Sequence, residues 1–364
     1  MPLKREAKTR KGERNMRKVL LTTDLYHPHN DPNDHWNLAT MYSLARKGLI
    51  RFSGVLCDED KPDRVRDKAT SFGDPSVQSI AQMNYISGIA VPEAVGSHKP
   101  MTCEEDVQEV LSSGLQIPSA NHIISVLEDG GEVDIHLCGS CRDVYLAYRM
   151  RPELFTEQVR IFLNAGTYLH QDILEYNVSL EPFSFSQMFT IPCKIMWAPC
   201  FSSLHEGYFG KVAEHANFYW VSHEEIFPVL SRQMQNFFLY MYTKEQDEGW
   251  LTYIQGEVKQ EALKKFKSRE SWISKDRWMW STPGFLMSAR KTLRADGTYT
   301  EENDENALFG YVPVVVDCKR NGTLTWRFAE EGEQTNVSLF TVYDTERFQP
   351  VMAEAVKKLL AELP

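Results

Sequence analysis

Short apolar runs that stop at a polar residue and lead into a helical pattern recur through the first half of this chain. That alternation restricts the fold more than any other feature. Val19-Leu20-Leu21-Thr22-Thr23 reads as a buried strand ending at Asp24, and a helix is expected over 33–47, with Leu38, Met41, Leu44 and Ala45 on one side. Further strands are expected at Phe52–Leu56, Ile89–Val91, Val133–Leu137, Val159–Leu163 and Lys194–Trp197. Helices are expected at 59–71, 77–87, 119–129 and 142–150. Strands separated by helices build a mostly parallel central sheet with helices on both faces, an α/β fold.

A parallel sheet brings the carboxyl ends of its strands to one rim, where ligands of α/β proteins bind. Asp24 ends the first strand, and Asp34 opens the helix that follows. Hard cations take several oxygen ligands, which loop carboxylates supply. An Asp before a helix also serves as an ordinary N-cap, so this pair alone leaves both readings open. Other polar peptides stand where strands should end: Cys138-Gly139-Ser140, Asn164-Ala165-Gly166-Thr167, Glu175-Tyr176-Asn177 and Ser281-Thr282-Pro283.

Beyond residue 222 the pattern turns helical to about 275. There Phe227, Leu230, Met234, Phe237, Phe238 and Met241 form a stripe that reads as core. Strands at 312–318, 323–327 and 337–343 and a helix at 346–362 close the chain. The expected division is a disordered basic tail over 1–17 and one domain over 18–364 with a helical insertion near 222–275. Residues 1–18 hold eight Lys or Arg against two Glu, within a chain of net charge -10, which argues against a general nucleic-acid binder. Seven dispersed cysteines and no secretory apolar run point to a reduced, cytoplasmic protein, and no stretch is apolar enough to span a membrane. Cys138-Gly139-Ser140-Cys141 has no second pair at zinc spacing. Asp58-Glu59-Asp60 follows the second strand and could line the mouth there, but reads first as a solvated acidic helix start.

Five peptides in order resemble the inosine–uridine-preferring nucleoside hydrolase family. Thr22-Thr23-Asp24 with Asp31-Pro32-Asn33-Asp34 resembles its D-T-D-x-G-x-D-D opening, or a D-P-D-D loop of a related branch. Cys138 to Asp143 is similar to T-G-P-L-T-N, and Arg160 to Tyr168 to R-I-V-L-M-G-G-A-Y. Glu175 to Pro182 is similar to E-F-N-x-x-x-D-P, and residues 312–362 to the family's last strands and helix. The resemblance implies a nucleoside-hydrolase-like fold that binds one Ca²⁺ and hydrolyses the N-glycosidic bond of a ribonucleoside or similar N-riboside. It implies Asp24 as catalytic base and metal ligand, with Asp34 and the Cys138 carbonyl as further ligands; beyond the resemblance, a hydroxyl of Ser281 or Thr282 can also coordinate, and Thr282 is taken as that ligand. Asn33, Asn164, Glu175 and Asn177 would hold the substrate. Small-molecule nucleosides or glycosides are then the expected partners, and family members are often dimers or tetramers.

The departures are specific. The family's H-D-P, a leaving-group acid and a metal carboxylate, is Ser281-Thr282-Pro283 here, and one opening aspartate is Asn33. Fewer carboxylates weaken a calcium site. His27, His29, His35, His170 and Asp172 are candidates for the missing acid. Two alternatives stay open: a sugar or nucleoside binder without turnover on the same fold, and a hydrolase of another glycosidic bond.

Overall fold

The computed structural model describes residues 16–25, 33–58, 75–97, 99–113, 117–169, 174–200, 213–243, 249–268 and 276–364. The residues 1–15, the 59–71 stretch, His27, His29, Asp31, His170 and Asp172 lie outside the described residues.

The chain opens β1 (Lys18–Thr23), α1 (Asn33–Arg46), β2 (Arg51–Cys57), α2 (Pro75–Ser87), β3 (Glu93–Val95), α3 (Glu104–Ser112) and α4 (Pro118–Glu128). It continues β4 (Val133–Cys138), α5 (Arg142–Met150), β5 (Val159–Leu163), α6 (Tyr176–Leu180), α7 (Pro182–Met188) and β6 (Lys194–Trp197). Then come β7 (Tyr219–Ser222), α8 (His223–Ile226), α9 (Arg232–Thr243), α10 (Trp250–Gln255), α11 (Gln260–Ser268), β8 (Asp276–Met279) and α12 (Thr282–Ser288). The last elements are β9 (Lys291–Leu293), β10 (Tyr299–Glu301), β11 (Phe309–Cys318), β12 (Leu324–Phe328), β13 (Val337–Val342) and α13 (Thr345–Ala361).

Nine strands form the main sheet in the order β12-β11-β13-β6-β5-β4-β1-β2-β3. All neighbours from β13 to β3 are parallel, and only β11 pairs antiparallel, with β12 and β13. Successive side chains alternate between two cores. Val19 and Leu21 join α1, α9 and α13 on one face, and Leu20, Ile135 and Leu137 join α4 and α5 on the other. With helices over both faces, β1, β4 and β5 are buried along their whole length.

Three expectations need correction. The strand expected at Ile89–Val91 lies at Glu93–Val95, because the Asn84 side chain takes both the N–H and the C=O of Val91 (2.8 and 3.2 Å). The helix α1 is buried at every residue from Asp34 to Leu44 and not along a stripe, since α9 covers its outer side, with Trp36 stacked on Phe238 at 3.7 Å. Arg17, counted with the basic tail, is 6% exposed and paired with Asp134 and Glu132 (2.9 and 2.7 Å).

At the amino-terminal end of the central strands sits Asp134, wholly buried in β4. Its carboxylate accepts from Arg17 at 2.9 Å, from Arg160 of β5 through two nitrogens at 2.9 Å, and from the Ser288 hydroxyl at 2.7 Å. Burial alone would raise its pKa, but the two guanidinium groups and the hydroxyl hold it below the usual carboxylate value. Removing one partner of such a buried cluster leaves uncompensated charge. Asp134→Ala is therefore expected to destabilise the protein by about 3–5 kcal/mol in urea denaturation. A loss under about 1 kcal/mol would mean the cluster is not desolvated as described.

Candidate active site

Strand register puts the candidate residues side by side. Thr23 lies opposite Cys138 on one side and Cys57 on the other, so Asp24, Gly139 and Asp58 leave three adjacent strands at one level. The Asn164 N–H bonds the Leu137 carbonyl, and the Ala198 N–H the Leu163 carbonyl, which carries the same rim on to β5 and β6. This is the carboxyl edge of the parallel strands.

Asp24 and Asp34 are 4% and 6% exposed. The Thr23 hydroxyl donates to Asp34 Oδ1 at 2.5 Å and accepts the Leu25 N–H at 3.2 Å, so one side chain ties the strand end to the helix start. Both carboxylates lie near Cys138: burial chiefly, then the charges of Asp34 and Asp24, push its thiol pKa far up. The thiol is thus neutral, and Cys138 can offer a cation its carbonyl oxygen, not a thiolate. Asn33 is half-buried at the first position of α1.

The helix α12 lies along β4 in the opposite direction. Ser281 Oγ is 3.3 Å from Cys138 Sγ, and Ser288 Oγ is 2.7 Å from His136 Nε2 and from Asp134 Oδ2. Between them stands Gly284, where an added Cβ would come 3.1 Å from Phe162 and 3.4 Å from His136, so the helix approaches the strand closely there. At the head of this helix Ser281 takes φ 68°, a left-handed conformation costly for a side-chain-bearing residue. The Thr282 hydroxyl accepts from the Tyr219 phenol at 2.8 Å.

The sugar-side candidates form a second group. The Glu175 carboxylate accepts three backbone N–H groups, from Gly166 (2.9 Å), Asn177 (3.0 Å) and Val178 (3.3 Å), and so caps α6 and closes the loop after β5. The Asn177 amide donates to the Asn164 carbonyl at 2.9 Å, and the Asn164 side-chain amide comes within 3.6 Å of Cys138 Sγ. Asn164 therefore joins the two groups.

Two further residues belong to this rim. Asn217, 1% exposed, has its amide 2.7 Å from that of Asn164. With its oxygen toward Ser281 it accepts the Ser281 N–H at 3.1 Å and donates to the Pro199 carbonyl at 3.3 Å. It lies in a loop outside every motif, so the sequence carried no signal for it. Asp58 belongs to a run that reads first as solvated, but it is 9% exposed and accepts the Ser140 N–H at 2.8 Å. Its other oxygen is buried with no hydrogen-bond partner among the described residues. Burial first pushes this carboxyl up to about 8; the Asp143 charge adds to that, while Ser140 and Arg142 oppose it. His35, a candidate acid, is instead fully buried in the core, 3.0 Å from Ser79 Oγ and tilted on Phe237.

The fit to a divalent cation can be judged from the donors. Among the described residues no group of three or more His, Cys, Asp and Glu side chains is placed to hold a metal. The strand and helix ends of this rim carry two carboxylates, a backbone carbonyl and a hydroxyl, all oxygens, which suits calcium in kind. The charge of that set is smaller than with a carboxylate at position 282.

No protein-family profile matches the chain, and no curated protein matches it in sequence. Solved structures do match. An inosine–guanosine nucleoside hydrolase aligns over 96% of this chain and 100% of its own, at 12% identity and TM-score 0.55. A purine-preferring ribonucleoside hydrolase from Gardnerella vaginalis aligns over 95% and 99%, at 11% identity and TM-score 0.54. A plant nucleoside hydrolase aligns over 95% and 99%, at 12% identity and TM-score 0.52. At such identities the likeness is one of fold: the chain has the α/β architecture of nucleoside hydrolases over nearly its full length.

The Asp58 carboxyl gives a pH signature. Its folded pKa of about 8 lies above the unfolded value of about 3.9, so between the two the folded state keeps a proton that the unfolded chain releases. Its contribution to stability is full below the lower value and is lost as pH rises through the upper one. Asp58→Asn should therefore gain on the wild type from pH 5 to pH 9 in urea midpoints. Parallel pH profiles for the two proteins would show that Asp58 ionises normally.

Proposed function

We propose that the chain is a hydrolase of the N-glycosidic bond of a ribonucleoside or similar N-riboside. The observation that carries this reading is the meeting of Asp24, Asp34, Cys138 and Asn164 on one strand-end rim, with Glu175 and Asn177 joined to it through Asn164. The full-length likeness in fold to nucleoside hydrolases supports it.

Breaking a C–N glycosidic bond builds positive charge on the sugar, which carboxylates stabilise. Asp24 takes the proton of the attacking water at its carboxylate. Asn33, Asn164, Glu175 and Asn177 hold the sugar hydroxyls. Asp24, Asp34, the Cys138 carbonyl and the Thr282 hydroxyl would hold Ca²⁺, which when bound lowers the pKa of water and so supplies a nucleophile at neutral pH. The leaving base needs a proton. Neither Ser281 nor Thr282 supplies one at neutral pH, whereas Asp58 holds a proton there on the same rim.

A second reading, binding without turnover, is favoured by one feature: Ser281-Thr282-Pro283 offers hydroxyls where the family has an acid and a carboxylate. Calorimetric Ca²⁺ titration with a screen of ribonucleosides for base release separates the two. Expected are one Ca²⁺ per chain, lost in Asp34→Ala, and base release that Asp24→Ala lowers by about 10²–10⁴-fold. Ribonucleosides bound but returned intact would move the assignment to the binding reading.

Asp58→Asn tests the proton donor. Its kcat on a nucleoside should fall by about 10²-fold, with little effect on a riboside whose leaving group is an acidic phenol. Equal losses on both substrates would remove Asp58 from that role.

A further inference from the structure

The hairpin of β11 and β12 lies at the sheet edge, with β13 and β6 between it and β5, yet its turn touches the loop that leaves β5. Gly322, at φ 84°, sits against the segment carrying Glu175 and Asn177. An added Cβ there would lie 2.6 Å from Val178 Cγ1, 3.2 Å from Pro182 Cβ and 3.4 Å from Leu174 Cδ2. The turn is closed by its own bonds. The Lys319 N–H reaches the Thr323 carbonyl and the Gly322 N–H the Lys319 carbonyl, both at 2.8 Å. Asn321 Oδ1 accepts from the Thr323 N–H at 3.1 Å and its hydroxyl at 2.7 Å. Behind the turn, the Trp326 indole donates to the Tyr168 carbonyl at 2.8 Å. Between turn and loop runs a narrow cleft lined by Thr167, Glu175, Val178, Gly322, Thr323 and Leu324.

We infer that this turn is a positioning element for the sugar-side residues: Gly322 and Trp326 set where Glu175 and Asn177 stand. The inference rests on the proposed function for its consequence, weaker substrate binding, but not for the coupling itself. The helix α6 has five residues, too few to hold its own direction in water. It is kept by the Glu175 cap at its start and by what packs on Val178, which is 1% exposed. Valine has little χ1 freedom, so pressure on Cγ1 moves its backbone, and the Val178 N–H is one of the three groups that Glu175 holds. Displacing the turn therefore displaces the carboxylate, and through Gly166 and Asn177 the loop that begins at Asn164.

Two variants and a control test this. Gly322→Ala adds the colliding methyl. Trp326→Phe removes only the indole donor and keeps a packed ring. Gly332→Ala imposes the same left-handed strain (φ 82°) at a turn where an added Cβ meets nothing within 4 Å. The primary readout is amide hydrogen exchange at Gly166, Asn177 and Val178. Gly322→Ala should speed it about tenfold and Trp326→Phe less, with β1 and β4 amides unchanged and no effect in Gly332→Ala. In base release, KM should rise about fivefold in Gly322→Ala with kcat nearly unchanged. Unchanged exchange in both the Gly322 and Trp326 variants overturns the inference, as does an equal change in the Gly332 control. Should Gly322→Ala not fold, Trp326→Phe decides. If the wild type releases no base from any ribonucleoside, the proposed function falls, and exchange still decides the coupling.

Discussion

The carboxylate of Asp134 is the tie on which the candidate site depends, although it lies at the opposite end of the strands. Arg17 precedes β1, Asp134 belongs to β4, Arg160 to β5, and Ser288 ends α12. The far ends of those same four elements carry Asp24, Cys138, Asn164 and Ser281-Thr282. Strands and helices are stiff over such lengths, so fixing their near ends in one buried charge cluster fixes where their far ends meet. A slip of one residue in β4 would turn Asp134 into the opposite, apolar core and take its charge away from both guanidinium groups. Burying three charges has a high desolvation cost, and apolar side chains of similar size often give equal or better stability. A physical reason to retain the cluster is register, since such a slip would strand the Asp134 charge.

The rim itself is built from polar groups that hold each other. Thr23 links β1 to α1, Glu175 gathers three N–H groups of one loop, and the amides of Asn164, Asn177 and Asn217 join that loop to β4 and α12. A group buried at a strand end must find partners or lose on the order of 1–3 kcal/mol. Here many of those partners come from loops far apart in sequence, so satisfying the rim also assembles it. The left-handed Ser281 belongs to this pattern, since Asn217 holds its N–H from outside the helix.

Much of this frame was legible in the sequence. The strands at Val133, Val159 and Lys194 and the helix at Arg142 stand out because β-α alternation and a short apolar run are local signals. The strand ends of a parallel sheet then follow from topology, which is why Asp24 and Asn164 are legible as rim residues in the sequence alone. What could not be read depends on distant partners. In Val-Asp-Ile-His-Leu-Cys, Asp134 and His136 look like the solvent face of a strand. Their burial requires Arg17, Arg160 and Ser288, at separations of 117, 26 and 154 residues. Asp58 sits in an acidic run that reads as solvated, until Ser140, 82 residues away, covers it. At Ile89–Val91 the apolar signal was real but misleading, because a side-chain amide had already taken the backbone groups a strand would use.

Position and chemistry are separable at residue 282. The Asp134 tie, the glycine at 284 and the amide of Asn217 help determine where the head of α12 stands, and the hydrogen bonds described for them do not involve the side chain of residue 282. Tyr219 does, donating to the Thr282 oxygen, and a phenol can donate equally to a hydroxyl or to a carboxylate. The framework therefore presents an oxygen to the rim whichever of the two residue types stands there. What changes is charge. A hydroxyl gives a cation a dipole where a carboxylate gives it a full negative charge, and in a partly buried site the difference is several kcal/mol. On the proposed function, the amides of Asn33, Asn164 and Asn177 would be indifferent to that loss, whereas the pull on a cation and on the positive charge of a breaking glycosidic bond would fall chiefly on Asp24 and Asp34.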